Sequence, residues 1–251
     1  MPLKGNQAKS LEDVLASTSS LWKGRFPNRA QATISTGHKI LDHRLPGEGW
    51  PRGAVTELIT AHSGVGEFSL LFPALAATGR QGHWIILVDP PWVPYPATLH
   101  GHGLNLERLV LIRTQKHDES LWACEQALRE IPESVVLSWP KDVRFATLRR
   151  LQLAAQSQRA IAFMFRPETT ASAASPAALR LKLDSAADGM RIEVLKCRGH
   201  SPAEPLMLPQ PYCRRQSTYE RSSMVGSSAA APGTGLSYPR SPGISRPSRH
   251  H

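Results

Sequence analysis

The stretch AVTELITAHSGVGEFS, residues 54–69, decides how the rest of this chain is interpreted. Its first seven residues, 54–60, are mostly apolar and predict a buried strand. A turn containing Gly64 and Gly66 follows, and glycine tolerates the backbone angles that tight turns require. From Glu67 to Thr78 apolar side chains recur at helical spacing, interrupted by Pro73, so the turn leads into a helix that is kinked or shortened.

Strand, glycine turn and helix in this order are the layout of a phosphate-binding loop, whose motif is GxxxxGK[ST]. Where the motif requires Lys beside Ser or Thr, this chain has Glu67 and Phe68. A carboxylate at that position repels the phosphates of a nucleotide. We therefore interpret four residues as a vestigial nucleotide loop, in which the backbone amides still allow weak anion binding. They are Gly64, Gly66, Glu67 and Ser69.

Further apolar runs alternate with helical patterns along the chain. The runs 84–89, 109–112, 135–139 and 160–165 predict strands, and helical patterns separate them. This order predicts an α/β fold with a mainly parallel, twisted sheet and helices on both faces. Two strictly alternating runs then flank Asp188-Gly189 and predict a C-terminal antiparallel hairpin at the sheet edge.

The two ends of the chain differ from this central part. Residues 1–32 are predicted to form an N-terminal arm, with a short helix that begins at Ser10. Residues 33–200 form the core. Residues 201–251 are rich in Pro, Ser, Arg and Gly, and this composition predicts a basic, disordered tail.

About half of the chain's net positive charge lies near its C-terminal end. The net charge is +10. The residues from Pro209 onward contain one Glu and six Arg, of which Arg214 and Arg215 are two. Such a tail favours contact with nucleic acid or with an acidic protein surface. A solvated end that binds nothing is the alternative.

Two other groups of residues are candidate contacts for a partner or for DNA. The loop PPWVPYP, 90–96, presents Trp92 and Tyr95, which either stack on bases, fill a partner's pocket or pack on their own sheet. Arg149 and Arg150, with Arg159 nearby, form either a basic patch or an ordinary solvated helix face.

The cysteines, histidines and hydropathy exclude several classes of protein. The three cysteines lie far apart without a CxxC motif, which is typical of thiols in a reducing, cytoplasmic compartment. His100 and His102 lack a third ligand nearby in the sequence, so no metal site is predicted. No apolar run approaches the roughly 18 residues of a membrane span, and no membrane partner is expected.

Several runs resemble the RecA-like ATPase core, and more closely the ImuA family of RecA-like accessory proteins in translesion DNA synthesis. A more distant similarity connects residues 84–167 with SulA, the division inhibitor of the SOS response. The runs that carry the ImuA resemblance are LDHRLPGEGWPRGAVTELI (41–59), GVGEFSLLFPAL (64–75), PPWVPYPATL (90–99), LWACEQALRE (121–130), LRRLQLAAQ (148–156), FRPE and SPAALRLKL within 165–183, and VLKCRG (194–199).

The resemblance implies a degenerate RecA-like core rather than an active ATPase. Besides the missing Lys, the strand ending in Ser138 and Trp139 lacks the magnesium-linked acid of such sites. Pro90 and Pro91 follow Asp89 where RecA proteins carry a catalytic Glu, and Asp89 is expected to be structural. We therefore expect no catalytic residues, no cofactor and no enzymatic activity.

The resemblance also implies a function. It implies a non-catalytic adaptor of SOS-induced mutagenic translesion synthesis, which acts with an ImuB-type inactive Y-family polymerase and a DnaE2-type error-prone polymerase. RecA is a further candidate partner, and the protein would join the nucleoid after DNA damage. The alternative is a SulA-like inhibitor that binds the tubulin-like division protein. A RecA-type ATPase is the third hypothesis.

Overall fold

The computed structural model describes residues 32–62, 64, 66–197 and 204–209. The strands are β1 (Thr33–Ile34), β2 (Trp50–Pro51), β3 (Ala54–Thr60), β4 (Ile85–Val88), β5 (Leu109–Ile112), β6 (Val135–Ser138), β7 (Ile161–Pro167), β8 (Leu179–Ala186), β9 (Gly189–Cys197) and β10 (Leu206–Pro209). The helices are α1 (Lys39–Asp42), α2 (Phe72–Arg80), α3 (Pro96–Gly101), α4 (His117–Glu130) and α5 (Phe145–Gln158). Single 3-10 turns span Ser69–Leu71, Leu106–Arg108 and Glu168–Thr170.

An eight-stranded sheet organises the described part of the chain, in the order β10-β9-β8-β3-β7-β6-β4-β5. Strand β3 pairs in parallel with β7 and with β8, and the pairs from β7 to β5 are parallel as well. Strand β9 is antiparallel to both of its neighbours. The structure therefore confirms an α/β fold with a mainly parallel sheet and a C-terminal antiparallel hairpin.

Burial along the sheet follows the position of each strand. All seven residues of β3 are buried, as are all four of β4 and of β6. Continuous apolar runs are typical of parallel strands that are covered on both faces. Strand β5 lies at the edge, and its Val110 and Leu111 are exposed.

Helices cover both faces of the sheet, as the alternating pattern predicts. Val55, on one face of β3, belongs to an apolar cluster with residues of α4 and α5, including Cys124 and Leu151. Leu58, on the other face, belongs to a cluster with residues of α2, including Leu75. Successive side chains of a strand point to opposite faces, so each strand contributes to both clusters.

The structure differs from the sequence prediction at two boundaries. The helix predicted from Glu67 begins as a 3-10 turn at Ser69 and becomes α2 only at Phe72, with Pro73 in the first turn. Proline is tolerated there because the first backbone amides of a helix have no intrahelical acceptor. Residues assigned to the tail form β10, whose Leu206 and Leu208 are buried. The arm before residue 32 and the chain beyond 209 lie outside the described residues.

None of the helices in the described ranges is both long and apolar enough to cross a membrane.

Candidate functional site

The glycine loop lies where the central strand β3 meets the 3-10 turn before α2. Gly64 and Gly66 have φ angles of +95° and +92°, which side chains other than glycine's rarely adopt. The Gly64 amide donates to both carboxylate oxygens of Glu67, at 2.8 and 3.1 Å. The Glu67 side chain is only 2% exposed. A carboxylate of the loop itself therefore occupies a backbone amide that a phosphate oxygen would use in a nucleotide-binding loop.

Aromatic rings fill the space beside this loop at the carboxyl ends of the strands. The ring of Trp139, which directly follows β6, stacks on the ring of Phe165 in β7, with centroids 4.5 Å apart and planes 5° apart. The ring centroid of Phe68, next to Glu67, lies 6.3 Å from that of Trp139 and 5.1 Å from that of Phe72. Open α/β sheets bind ligands at the carboxyl ends of their strands. In this chain that edge is lined by the rings of Phe68, Trp139 and Phe165.

The proline loop between β4 and α3 extends the aromatic cluster to the surface. The Trp92 ring meets the Trp139 ring edge-on at 6.2 Å, and Trp92 is still 37% exposed. Val93 and Tyr95 are 72% and 71% exposed. Packing on the protein's own sheet was one of the predicted roles of these rings. It applies in part to Trp92, and it hardly applies to Tyr95. We name Trp92, Val93 and Tyr95 the loop surface.

The proline loop is anchored at its start by polar contacts. Asp89 has a φ of +48° and accepts hydrogen bonds from the Thr114 amide, at 2.7 Å, and from the Thr114 hydroxyl. The Arg113 guanidinium donates to the Pro90 carbonyl. Burial raises the pKa of Asp89, but hydrogen bonds from Thr114 and Ser120 outweigh it, and the pKa lies below its ordinary value. Asp89 thus ties the loop to the segment after β5, which is a structural role.

The predicted arginine pair lies on a helix rather than on the loop surface. Arg149 and Arg150 are exposed on α5, and Arg150 pairs with Glu125 of α4 at 3.0 Å. Within the described ranges, no ion pair or ring contact joins either arginine to Trp92 or Tyr95. The two predicted groups therefore lie on different elements, α5 and the loop between β4 and α3. Arg214 and Arg215 lie outside the described residues.

A buried charged cluster was missed by sequence analysis. The Glu57 carboxylate, in the middle of β3, accepts from Arg180 Nε at 2.7 Å and lies 3.6 Å from Arg166 Nε. The three side chains are 2%, 7% and 5% exposed, in the order Glu57, Arg180 and Arg166. Arg180 also donates to the carbonyls of Thr170, Ala171 and Ala173.

This cluster holds β3, β7, β8 and the crossover between β7 and β8 together. A buried carboxylate without a partner is strongly disfavoured, so a charge in the apolar run AVTELIT signals that basic partners lie nearby. That signal was present in the sequence. Which arginines supply the partners depends on strand order, because Arg166 and Arg180 lie more than 100 residues from Glu57.

The histidines and acids of the described residues provide no cluster of three or more that is arranged to hold a metal ion. His102 instead stacks on Phe72 with ring centroids 4.1 Å apart. The absence of a metal or cofactor in the protein stays a prediction.

Comparison with known proteins identifies relatives of this chain. The family model of the MT3502 N-terminal domain matches residues 43–169, which is just over half of the 251 residues. This range extends from the segment before β2 to the 3-10 turn after β7, so β8, β9 and β10 lie beyond it.

Curated relatives include several proteins named cell division inhibitor SulA. The chain is 33% identical to that of Edwardsiella piscicida over 111 residues, covering 43% of this chain and 66% of the relative. It is 30% identical to that of Photorhabdus laumondii over 114 residues, covering 45% and 64%. It is 26% identical to that of Serratia proteamaculans over 151 residues, covering 60% and 86%. The first two matches span slightly less than two thirds of the relative's length. The predicted relationship to SulA is confirmed, and the finer assignment to ImuA stays a prediction.

Proposed function

This chain belongs to the family of the MT3502 N-terminal domain, and on that premise we propose that it is an SOS-response protein that inhibits cell division by binding. Proteins named cell division inhibitor SulA are its curated relatives, and this supports the proposal. The partner that we propose is the tubulin-like division protein. The protein acts through a docked surface and carries out no reaction of its own.

The observation that carries this proposal is the loop surface at the carboxyl edge of the sheet. A stiff, anchored loop exposes three apolar side chains, and the aromatic cluster supports it from below. Aromatic side chains on a preorganised support are typical of the residues that dominate protein interfaces. Beside these side chains, the Glu67 carboxylate accepts a hydrogen bond from the Gly64 amide. This occupied amide supports a function in binding a protein partner rather than in nucleotide chemistry.

Expression of the full chain in its own host tests this function. We expect undivided, elongated cells and a lower amount of sedimenting polymer when the purified chain is added to the tubulin-like division protein. The matched control is a chain with Trp92→Ser and Tyr95→Ser, checked to fold by circular dichroism. Normal division together with unchanged polymerisation would overturn the proposal.

A translesion-synthesis adaptor is the second candidate function. It is favoured by the three strands β8 to β10, which lie beyond the matched family model and add surface to one edge of the sheet. Its partners would be the ImuB-type protein and the DnaE2-type polymerase, with RecA as a further one. Deletion of the gene followed by counting of damage-induced mutants separates the two candidates. A fall in mutation frequency without any effect of overexpression on division favours the adaptor.

The RecA-like origin of the core is part of the same proposal. Its support is the position of the glycine loop, which follows a central parallel strand and precedes a helix. In this proposal the loop is a remnant, since Glu67 replaces the Lys and Trp139 follows the strand where the acid belongs. Restoring Lys at position 67 alone should not create an ATPase. Phosphate release by Glu67→Lys above background, with single-stranded DNA present, would contradict it.

A further inference from the structure

The two helices on one face of the sheet carry large apolar side chains that are left in solvent. Trp122 of α4 is 64% exposed, and Phe145 and Leu153 of α5 are 51% and 55% exposed. Phe145, Arg149 and Leu153 are spaced by four residues, so they form one stripe along the outer side of α5. Soluble proteins rarely leave several large apolar groups together on a surface without a binding role.

An ion-pair network fixes the two helices relative to each other at this face. Glu125 is 10% exposed and accepts from Arg129 at 2.8 Å and from Arg150 at 3.0 Å. Both helices connect parallel strands, so they run in the same direction. Trp122 lies one turn before Glu125 along α4, and Phe145 lies one turn before Arg149 along α5. The apolar side chains and the arginines therefore share one outer surface, which we name the helix face.

The helix face carries an excess of positive charge. Glu125 neutralises one of the two guanidiniums that it contacts, and Arg149 adds a third. Residues 144–159, which comprise α5 and its flanking residues, contain four Arg and no Asp or Glu. Because the Glu125 contacts hold Arg129 and Arg150 in place, a negatively charged partner orders fewer side chains on binding.

The terminal segments are basic and a symmetric second copy would present the same arginines, so neither is a source of complementary negative charge. Residues 1–31 contain five Lys or Arg and two Asp or Glu, and residues 210–251 contain six Arg and one Glu. By composition, neither segment supplies the negative charge that would complement the arginines. In a symmetric dimer formed by this face, the arginines of one copy would lie against those of the other.

We propose that the helix face binds an acidic, amphipathic helix of a partner protein. The apolar side of that helix covers Trp122, Phe145 and Leu153, and its carboxylates pair with Arg149 and Arg150. Asp118 and Glu119 lie one turn before Trp122, so the carboxylates of the partner helix pair on the α5 side of the face, which has no acidic residue. A protein partner is favoured over nucleic acid because Leu153 offers no ring on which a base could stack, whereas the apolar side of a helix covers it together with Trp122 and Phe145. The helix face lies on α4 and α5 rather than on the proline loop, and its role does not depend on the division-inhibitor proposal.

Fluorescence anisotropy with a defined probe tests the proposal. The probe is a labelled amphipathic helix of about 20 residues, with Leu on one side and Glu on the other. Two further probes replace every Glu by Lys, or use labelled oligothymidylate. We expect the full chain to bind the acidic peptide, and added salt to weaken that binding. Absence of binding, or equal binding of the acidic and basic peptides, would overturn the inference.

Variants locate the bound probe on the chain. Arg149→Glu and Trp122→Ala alter exposed side chains, and each should weaken binding of the acidic peptide about tenfold or more. The matched control is Arg80→Glu, an equal charge change at the exposed end of α2 on the opposite side of the sheet. Equal weakening by Arg80→Glu would contradict a local site. If the chain binds oligothymidylate, and Arg149→Glu abolishes that binding while Arg80→Glu does not, the helix face binds nucleic acid and the proposal is overturned.

Discussion

Two loops leave the same edge of the sheet and use their polar groups in opposite ways. The loop after β3 closes on itself, since the buried Glu67 carboxylate accepts from the Gly64 amide. The loop after β4 has its polar anchor at Asp89 and then turns Trp92, Val93 and Tyr95 outward. The difference indicates that backbone amides near β3 serve stability, whereas apolar side chains beyond β4 are available to a partner. We therefore predict that changes near β3 alter folding and that changes beyond β4 alter binding.

The largest expected effect is a loss of stability when the charged cluster around Glu57, which supports β3, is broken. Arg180→Ala removes the 2.7 Å contact to Glu57 and leaves a buried carboxylate with Arg166 at 3.6 Å. We expect the free energy of unfolding to fall by about 3–5 kcal/mol. Urea denaturation measures it, and Lys182→Ala, a more exposed basic residue of the same strand, is the control. A loss below about 1 kcal/mol would mean that the cluster does not hold the strand.

The next effect concerns the closed loop itself. Glu67→Ala removes the acceptor of the Gly64 amide and should lower the free energy of unfolding by about 1–2 kcal/mol. Glu67→Gln keeps one acceptor oxygen, so its loss should be smaller. Equal stability of wild type and Glu67→Ala in urea would show that the loop does not need its own carboxylate.

Changes in the loop surface should alter binding of a partner more than the stability of the fold. Tyr95→Ala alters a side chain that is 71% exposed, so the free energy of unfolding should change by less than about 0.5 kcal/mol. Affinity for the tubulin-like division protein should fall about tenfold, because exposed aromatic residues are frequent interface anchors. Denaturation and sedimentation, carried out on the same preparation, measure both quantities. Unchanged affinity would remove the loop surface from the proposed function.

The smallest effect is a pH dependence at Asp89. Its folded pKa lies below the ordinary value of 3.8, so folding favours the charged form. The resulting stability is fully present above about pH 4 to 5 and is lost as pH falls through the folded pKa. Asp89→Asn removes the ionisation, so the stability difference between wild type and variant should shrink on acidification. Asp89 is half-buried, so we expect less than about 1 kcal/mol in urea titrations. A difference that stays constant with pH would contradict this role.

Much of the fold could be predicted from the sequence because its signals are local. Apolar runs such as 84–89 and 135–139 correspond to β4 and β6, and the alternation after residue 179 corresponds to β8 and β9. Each signal depends on residues within one element. Strand β10 lies within the predicted tail because four residues beside prolines have no clear periodicity. Pairing with β9 decided their structure.

The candidate sites could be predicted only in part, for a physical reason. The glycine loop with Glu67 and the proline loop with its two rings can be recognised from sequence because each depends on neighbouring residues, whereas the exposure of the rings could not be. Strand order alone decided that Trp139 stacks on Phe165, that Glu57 meets Arg180, and that Glu125 meets Arg150. Side chains distant in sequence meet only after the crossovers have placed their strands and helices side by side. The sequence by itself therefore determined the elements and the glycine loop, and the tertiary structure decided which charges are buried and which rings are exposed.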